Sequence, residues 1–360
     1  MTSRTALCNV LICGLIFGAM LPRPVEPASP GPDAIPIKIM TIVAVSDIDA
    51  PDGDYGEARL WVEHESLNRR MSIPGVASPL AYNDAGHCLI VTDVGPANAA
   101  ASLMAVGLSD RLDLRNTYFL VAGSAGTPPN VATLGSAAWA EWIVDADLNQ
   151  EIDIRELPSN WKHPRSRMWC DEPWCENWRA GHEVYHLNAQ LTEWAFRLSR
   201  DVELFDSEAI REYRGRYPEG TPARRPPFVL KADVLATATY RHGKLASDWA
   251  DWWVKQWTAG AGTYGMTCSE DCGTMTALTR LSKAGLVGLD RVMILRAASN
   301  FDQQYPGQSA LESIHADNGG YRAALENAYR AGSAVTRFMI KNWAKWNAGV
   351  PPLEAQSQSD

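Results

Sequence analysis

The pentapeptide HEVYH, residues 182–186, has the residue types and spacing of a zinc site. On a helix, the two histidines would lie on one face, and the adjacent glutamate would activate a metal-bound water, as in zinc peptidases. Such a site needs a third ligand, and the acidic residues downstream are Glu203, Glu208 and Glu212. No third-ligand motif surrounds them. We therefore predict no metal, and a zinc metallopeptidase is the distant alternative.

Two pairs of cysteines stand close enough along the chain to form local disulfides. They are Cys170 with Cys175 in CDEPWC, and Cys268 with Cys272 in CSEDC, whereas Cys88 has no near neighbour. Such pairing is typical of proteins in oxidising compartments. Free thiols throughout are the alternative that the sequence leaves open.

The N-terminus has the pattern of an export signal. Arg4 precedes the apolar run ALCNVLICGLIFGAML, and a proline-rich stretch follows. We predict a signal peptide at 1–28, a linker at 29–36 and a periplasmic or secreted protein, with an uncleaved anchor as the alternative. No later segment approaches the ~20 apolar residues of a membrane span. We expect no span in the mature chain, one domain at 37–345 and a tail at 346–360.

The charge balance restricts the partners. The 360 residues carry a net charge of -9 and a pI near 5.4. Because no basic stripe is present, we predict no nucleic-acid polymer as partner. A small neutral or cationic ligand fits this balance.

Short apolar runs rich in β-branched residues alternate with amphipathic segments. The runs predict strands at 37–45, 87–94, 117–126 and 290–300, and an extended segment at 136–148. The amphipathic segments predict helices from near Pro96, at 188–200 and at 273–286. Surface loops are predicted at 46–56 and 160–181. The alternation favours an α/β domain with a parallel or mixed sheet.

Polar residues follow the ends of the predicted strands, where ligands collect in open α/β sheets. Glu57 follows the first strand, Ser124 ends another in GSAG, and Ser299 and Asn300 end the last. Glu270 lies just before a predicted helix. A carboxylate at a helix start and an asparagine in a turn also have purely structural explanations. The functional prediction therefore depends on the order in which these polar residues occur together along the chain, and not on any one of them.

Four longer segments together resemble the purine nucleoside permease family. They are VGPANAAASLMAVGLSDRLDLRNTYFLVAGSAG, LGSAAWAEWIVDADLNQEIDIRELP, ATATYRHGKL and SEDCGTMTALTRLSKAGLVGLDRVMILRAASNFDQQYPGQ. The resemblance runs in order from about Ile37 to Trp343. Despite its name, that family looks like a branch of the nucleoside phosphorylase and nucleosidase superfamily. The resemblance implies a three-layer αβα fold with a central mixed sheet, and cleavage of N-glycosidic bonds.

The resemblance also implies roles for the polar residues. Glu270 would accept hydrogen bonds from the ribose 2′- and 3′-hydroxyls, since a carboxylate accepts at both oxygens. Ser124 would lie on the ribose side. Asn300 would donate to purine N7 and stabilise the leaving base, and Glu57 would activate water or orient a ribose hydroxyl. Asn300 and Glu57 are thus the catalytic candidates.

Several positions depart from the superfamily pattern. Val121 stands where phosphorolytic relatives often carry an arginine, which favours water as the nucleophile. Gly123 would line the water or phosphate side, and Arg155 could contact phosphate from another direction. Ser269 replaces a methionine beneath the sugar, and Arg241 replaces an expected aromatic residue. Base-side candidates are Ser299, Tyr240 and His242.

These implications favour an exported enzyme that cleaves purine nucleosides by hydrolysis or phosphorolysis. No cofactor is expected, apart from inorganic phosphate as co-substrate in the phosphorolytic case. The alternative is a non-catalytic nucleoside-binding protein that assists transport. A homo-oligomer is a further expectation inherited from the resemblance. The matching segment of the family is helical around HEVYH, and we interpret the zinc-like pattern as accidental.

Overall fold

The structure, a computed structural model, describes residues 30–45 and 56–353. The predicted signal peptide, most of the predicted loop 46–56 and residues 354–360 of the predicted tail lie outside the described residues. No helix in the described part of the chain is both long enough and apolar enough to cross a membrane.

Most strands are short, and the central strands of the sheet are buried. The strands are Ile35–Pro36 (β1), Ile39–Val43 (β2), Arg69–Met71 (β3), Leu80–Tyr82 (β4), His87–Val91 (β5), Leu112–Asp113 (β6), Tyr118–Thr127 (β7), Ala137–Ala140 (β8), Trp142–Asp145 (β9), Gln150–Glu151 (β10), Arg165–Ser166 (β11), Val184–His186 (β12), Val229–Lys231 (β13), Asp233–Ala236 (β14), Tyr264–Cys268 (β15) and Val292–Phe301 (β16). The strands predicted at 37–45, 87–94, 117–126 and 290–300 are confirmed as β2, β5, β7 and β16.

Helices alternate with these strands along the chain, and the last three follow β16. The helices are Arg59–His64 (α1), Pro96–Gly107 (α2), Ala189–Ser199 (α3), Glu208–Arg214 (α4), Lys244–Trp257 (α5), Asp271–Lys283 (α6), Ala310–Ile314 (α7), Gly320–Lys341 (α8) and Trp343–Trp346 (α9). The helices predicted from Pro96, at 188–200 and at 273–286 are confirmed as α2, α3 and α6. Asn188 caps α3 by accepting from the backbone N–H groups of Gln190 and Leu191.

Twelve of the described strands form one mixed sheet. Its main path runs β12-β9-β14-β15-β7-β2-β5-β4-β3, and β16 pairs with both β7 and β8. Strands β5, β2, β7 and β16 are parallel where they pair, whereas β8 runs antiparallel to β16. The sheet is therefore mixed, as predicted.

Strand β7 shows how the layers form. Phe119 and Val121 pack on one face of the sheet, in the core that contains Leu103 of α2 and Leu278 of α6. The alternate residues of β7, including Leu120, pack on the other face in the core that contains α3 and α8. Because side chains alternate along a strand, β7 is buried on both faces. The result is the expected three-layer αβα fold.

HEVYH does not lie on a helix. Val184–His186 is a strand that pairs antiparallel with β9, and α3 begins only at Ala189. The Glu183 carboxylate accepts from the backbone N–H groups of residues 180–182. The His186 ring stacks on Trp142 and bonds to Glu141. Local structure thus accounts for this motif, and the described residues contain no cluster of three or more metal-binding side chains.

The two cysteine pairs differ. Cys170 and Cys175 form a disulfide. The prediction for the second pair is wrong, because Cys268 and Cys272 are free and buried. Cys268 ends β15 with its thiol toward Asp271, whereas Cys272 lies in α6 with its thiol toward Asp145. The change from strand to helix at Glu270 separates the two sulfur atoms.

The predicted surface loop 160–181 has a buried anchor. The Arg167 side chain is only 2% exposed, and its guanidinium lies 5.1 Å from the centroid of the Trp174 ring and 5.0 Å from that of Trp257. It donates to backbone carbonyls of Cys175 and Trp178. A loop closed by a disulfide and held by a buried cation is more firmly fixed than its polar sequence indicates.

The packed structure extends past the predicted domain boundaries at both ends. Ile35–Pro36, placed in the linker by the sequence, pairs with β6. Trp346, placed in the tail, is buried and accepts a hydrogen bond at its carbonyl from Tyr118. The Trp194 indole donates to the Pro351 carbonyl. Apolar side chains near both ends explain why the fold includes them.

Candidate functional site

A cavity of about 210 Å³ opens where β7, β15 and β16 end. Its wall includes Glu57, Ser124, Glu270 and Asn300, four residues that are far apart in sequence. Glu57 follows β2 and stands just before α1. The fold therefore brings together the polar residues that follow its central strands.

Glu270 lies where two helices begin. It is the N-cap residue of α6, and its Oε1 accepts from the backbone N–H of Gly95, the N-cap of α2, at 3.2 Å. Gly95 has φ +97°, a conformation that favours glycine. Burial raises the pKa of Glu270, while Arg296 opposes that rise. The N-terminus of α2 and one cation thus stabilise a buried carboxylate.

Arg296 is a site component that the sequence reasoning missed. It lies in β16, and its Nη2 is 3.3 Å from Glu270 Oε2. The same nitrogen bonds to Asp271, and Nε donates to Asp271 Oδ2 at 3.2 Å. Burial alone would lower the pKa of Arg296, but Asp271 keeps it well above its usual value. The sequence feature that could have revealed Arg296 is a single arginine within the apolar run VMILRAAS.

The Glu57 carboxylate is surrounded by donors. Oε2 accepts from the backbone N–H groups of Ala44 and Val45 at 2.8 and 3.1 Å. Oε1 accepts from the backbone N–H and the hydroxyl of Ser124 at 2.8 and 3.1 Å. A carboxylate has about four acceptor sites. A water or ribose hydroxyl can therefore bind Glu57 by displacing the Ser124 hydroxyl, the one donor that rotates freely.

Gly123 lets these groups approach one another. A Cβ atom at position 123 would lie 2.6 Å from Arg296 Nη1 and 2.7 Å from Glu57 Oε1. Any side chain here would push the arginine and the glutamate apart. Gly123 is not part of the cavity wall itself, and the structure shows it allowing the close approach of a cation and a carboxylate behind that wall, so its role on the water or phosphate side stays a prediction.

Asn300 lies farther along the same wall. An irregularity in the register of β16 between Ala298 and Asn300 interrupts the regular alternation of its side chains. Asn300 Oδ1 accepts from the Ser299 hydroxyl at 3.0 Å, and Nδ2 donates to the Phe301 carbonyl at 3.0 Å. One amide N–H of Nδ2 remains for a ligand.

The separation between Glu57 and Asn300 can be estimated along β7. Glu57 lies against Gly123, and Asn300 lies against Gly126, three residues later. At ~3.3 Å per residue, these two points are about 10 Å apart. A molecule the size of a nucleoside spans that distance.

The segment after β14 forms the remaining wall. Tyr240 and Arg241 line the 210 Å³ cavity. His242 lines an adjoining chamber of about 580 Å³, which shares Ser299 and Asn300 with the first. Burial lowers the pKa of His242. The base-side candidates thus lie around the two connected spaces.

Arg155 is the site prediction that the structure contradicts. Its side chain is 84% exposed and pairs with Asp153, two residues earlier. The segment follows β10, in the excursion between β10 and β11, away from the cavity wall. A nearby carboxylate and full hydration account for its position.

Similarity to solved structures agrees with the fold. A 5′-methylthioadenosine/S-adenosylhomocysteine nucleosidase from Neisseria meningitidis superposes with a TM-score of 0.50 at 12% identity, covering 84% of this chain and all of that one. A futalosine hydrolase of Helicobacter pylori gives a TM-score of 0.53 at 9% identity, covering 84% and 98%. These similarities define a protein with the nucleoside phosphorylase-like fold.

Sequence similarity is more specific. Residues 36–351 match the purine nucleoside permease family, and the chain belongs to that family. A probable purine nucleoside permease of Schizosaccharomyces pombe is 36% identical over 272 residues, 72% of this chain and 77% of the relative. A purine nucleoside permease of Candida albicans is 33% identical over 301 residues, 79% of this chain and 72% of the relative.

Proposed function

We propose that this protein cleaves the N-glycosidic bond of purine nucleosides. The observation that carries the proposal is the single cavity in which Glu270 and Asn300 form part of one wall, with the Glu57–Ser124 pair beside them. Membership of the purine nucleoside permease family supports nucleosides as the ligands.

Glu270 suits the sugar half of such a substrate. Breaking the bond between C1′ and the base builds positive charge on the ribose. A buried carboxylate is effective here, because its interaction with that charge is weakly screened. Glu270 Oε1 and Oε2 each have one bond to the protein, which leaves acceptor sites for the two vicinal hydroxyls.

Asn300 suits the base half. Negative charge develops on the departing purine, and a fixed N–H donor at N7 stabilises it. The Ser299 hydroxyl holds Asn300 Oδ1 and so orients the amide nitrogen. Asparagine assists departure by hydrogen bonding, because its amide does not transfer a proton at neutral pH.

Water is the nucleophile that the charges favour. Arg296 is close to the nucleophile side, but two carboxylates already pair with it. Glu57 adds a third acidic group there. A phosphate dianion would be repelled by this surplus of carboxylates, whereas water would not. Hydrolysis is therefore favoured over phosphorolysis.

The test is product analysis with inosine, guanosine and adenosine, with and without phosphate. We expect free base and ribose in phosphate-free buffer. Glu270→Ala should lower kcat/KM by roughly 100-fold or more, in the range for loss of a transition-state contact. Glu63→Ala is the control, because Glu63 is half exposed and, among the described residues, forms a salt bridge with Arg59 outside the cavity wall. Ribose 1-phosphate formed only with phosphate would indicate phosphorolysis, and no free base in either buffer would contradict the proposal.

A second candidate is nucleoside binding without turnover, in support of uptake. The names of the curated relatives, which are permeases, favour it. Calorimetric titration separates the two functions. A binding protein would take up inosine without releasing hypoxanthine, and Glu270→Ala would then weaken binding alone.

We also propose that the protein is exported. The Cys170–Cys175 disulfide supports this location, since disulfides persist in oxidising compartments. Cell fractionation followed by mass determination of the N-terminus tests it. Full-length protein found only in the cytoplasm would contradict export.

A further inference from the structure

Arg241 is a buried cation in the cavity wall that the proposed reaction does not use. It lies five residues after β14, and its side chain is only 7% exposed. Gly243 donates to the Asp302 carbonyl at 2.7 Å, two residues beyond Asn300. This bond fixes the segment that carries Arg241 beside the end of the cavity assigned to the base.

Only some of the N–H donors of the Arg241 guanidinium have acceptors in the protein. Nη2 donates to the Ala146 carbonyl at 2.6 Å and lies 3.6 Å from Asp147 Oδ1. The guanidinium also lies over the Trp249 ring, 4.7 Å from its centroid. Within the described part of the chain, Nε and Nη1 have no hydrogen-bond partner. Burying such donors without acceptors is unfavourable, so the guanidinium retains donor capacity that the protein does not use.

The charge itself is retained at neutral pH. Burial is the main cause that lowers the pKa of Arg241, to about 10, and the neighbouring Arg165 adds to it. Asp147 acts in the opposite direction, but its side chain is one-third exposed. Arg241 therefore remains a buried cation beside the base end of the cavity, with the carboxylates of Asp145, Asp147 and Glu151 around it.

We propose that Arg241 makes this cavity selective for nucleosides whose purine carries a carbonyl oxygen at C6, over those with a 6-amino group. The inference rests on the proposed function, because it concerns the substrate of the same site. A guanidinium only donates hydrogen bonds. The 6-oxopurine edge presents two acceptors, O6 and N7, whereas the 6-aminopurine edge presents a donor beside N7.

The buried position of Nε and Nη1 determines how Arg241 acts. These atoms are covered by protein, so the side chain acts first through its electric field. A departing 6-oxopurine spreads negative charge onto O6, and a nearby buried cation stabilises that charge. An amino group at C6 gains less from the cation and places its own positive hydrogens toward it.

The experiment compares inosine and adenosine in the wild type and in Arg241→Gln. Steady-state kcat/KM and calorimetric Kd are both measured, so that binding is read even without turnover. We expect the wild type to prefer inosine roughly tenfold or more, as for one good base-specific contact. Arg241→Gln should reduce that preference to within a few-fold. Arg241→Lys retains the charge, so it should keep most of the preference for inosine. It is the second variant to measure if Arg241→Gln fails to fold.

Arg165→Gln is the matched control. Arg165 lies over the same Trp249 ring at 5.7 Å and pairs with Glu151, outside the cavity wall. Its loss removes a nearby positive charge outside the cavity wall, and it should change the preference much less than Arg241→Gln does. Wild-type protein that treats adenosine as well as inosine, or an Arg241→Gln variant that keeps the preference, overturns the inference while leaving nucleoside cleavage intact. If neither nucleoside binds nor reacts, the proposed function fails as well.

Discussion

The guanidinium of Arg296 lies 3.3 Å from the carboxylate of Glu270, with both side chains almost completely buried. This pair connects the wall of the cavity to the charges behind it, because Arg296 also bonds to Asp271. Burial raises the pKa of Glu270, and Arg296 limits the rise. The cation therefore favours the ionised form of the carboxylate that we propose binds the sugar.

Replacing Arg296 should change the pH dependence of activity. In Arg296→Met, the hydrogen bond from the Gly95 N–H still opposes the effect of burial on Glu270, but the opposing charge of Arg296 is lost, so the pKa of Glu270 rises further. If ionised Glu270 is required, the acidic limb of kcat/KM against pH moves to higher pH. At pH 7 we expect a loss of roughly 10- to 100-fold. Arg296→Lys should keep the limb close to that of the wild type.

Arg291→Met provides the control for this prediction. Arg291 is also buried, but it donates to backbone carbonyls of Asn116, Trp346 and Asn347, away from the cavity. Loss of either buried arginine should destabilise the protein by a few kcal/mol. Only the Arg296 variant should move the acidic limb. An unchanged limb in Arg296→Met would show that Arg296 does not act through Glu270.

Asn300 should affect the departure of the base. Asn300→Ala removes the donor, and kcat should fall roughly 100-fold, as for other fixed donors to a developing charge. Asn300→Asp should retain activity at low pH and lose it as pH rises, because only the protonated acid donates. Steady-state kinetics with inosine from pH 5 to 8 measure both effects. A wild-type kcat in Asn300→Ala would remove Asn300 from the mechanism.

The Cys170–Cys175 disulfide should matter for stability rather than for turnover. It closes a short loop, for which the chain-entropy model gives about 2 kcal/mol. Urea unfolding of the Cys170→Ser, Cys175→Ser double variant should show a loss of this size, with unchanged kcat/KM. The control is Cys88→Ser, a buried free thiol in β5. A large kinetic change in the double variant would mean that the loop contributes to the cavity.

His87 should make the protein less stable in acid. Burial, with a smaller contribution from Arg337, lowers its pKa from 6.5 to about 3. Below pH 6.5 the unfolded chain binds a proton that the folded protein does not, so stability falls as pH decreases toward 3. The loss is about 1.4 kcal/mol per pH unit. Urea unfolding at pH 7, 5 and 4 measures it.

His87→Gln tests the assignment. Glutamine can keep a hydrogen bond to Thr41, which His87 Nε2 meets at 2.9 Å. The variant has no imidazole to protonate, so its free energy of unfolding should fall less between pH 6 and pH 4 than that of the wild type. Equal slopes would assign the acid sensitivity to other groups.

The sequence predicted the central strands and the polar residues that follow them. This was possible because buried β-branched runs form strands with little ambiguity, and because Glu57, Ser124, Glu270 and Asn300 keep a recognisable order. Arg296 was missed because its importance depends on its neighbours across the sheet. Gly123 stands opposite it in the register of β7 and β16, which no local pattern reveals.

The wrong predictions also have local physical causes. Arg155 was assigned to phosphate because of its position in a family motif, but Asp153 two residues away pairs with it at the surface. Cys268 and Cys272 are close in sequence, yet a strand ends and a helix begins between them. HEVYH has helical spacing, but pairing with β9 makes most of it a strand.

The most direct test of the central claim is a structure of the protein with bound inosine, determined with a slow variant such as Asn300→Ala alongside the wild type. We predict Glu270 oxygens within about 3 Å of both O2′ and O3′, and in the wild type the Asn300 amide nitrogen within the same distance of N7. A nucleoside bound elsewhere, or bound here with its ribose away from Glu270, would contradict the account.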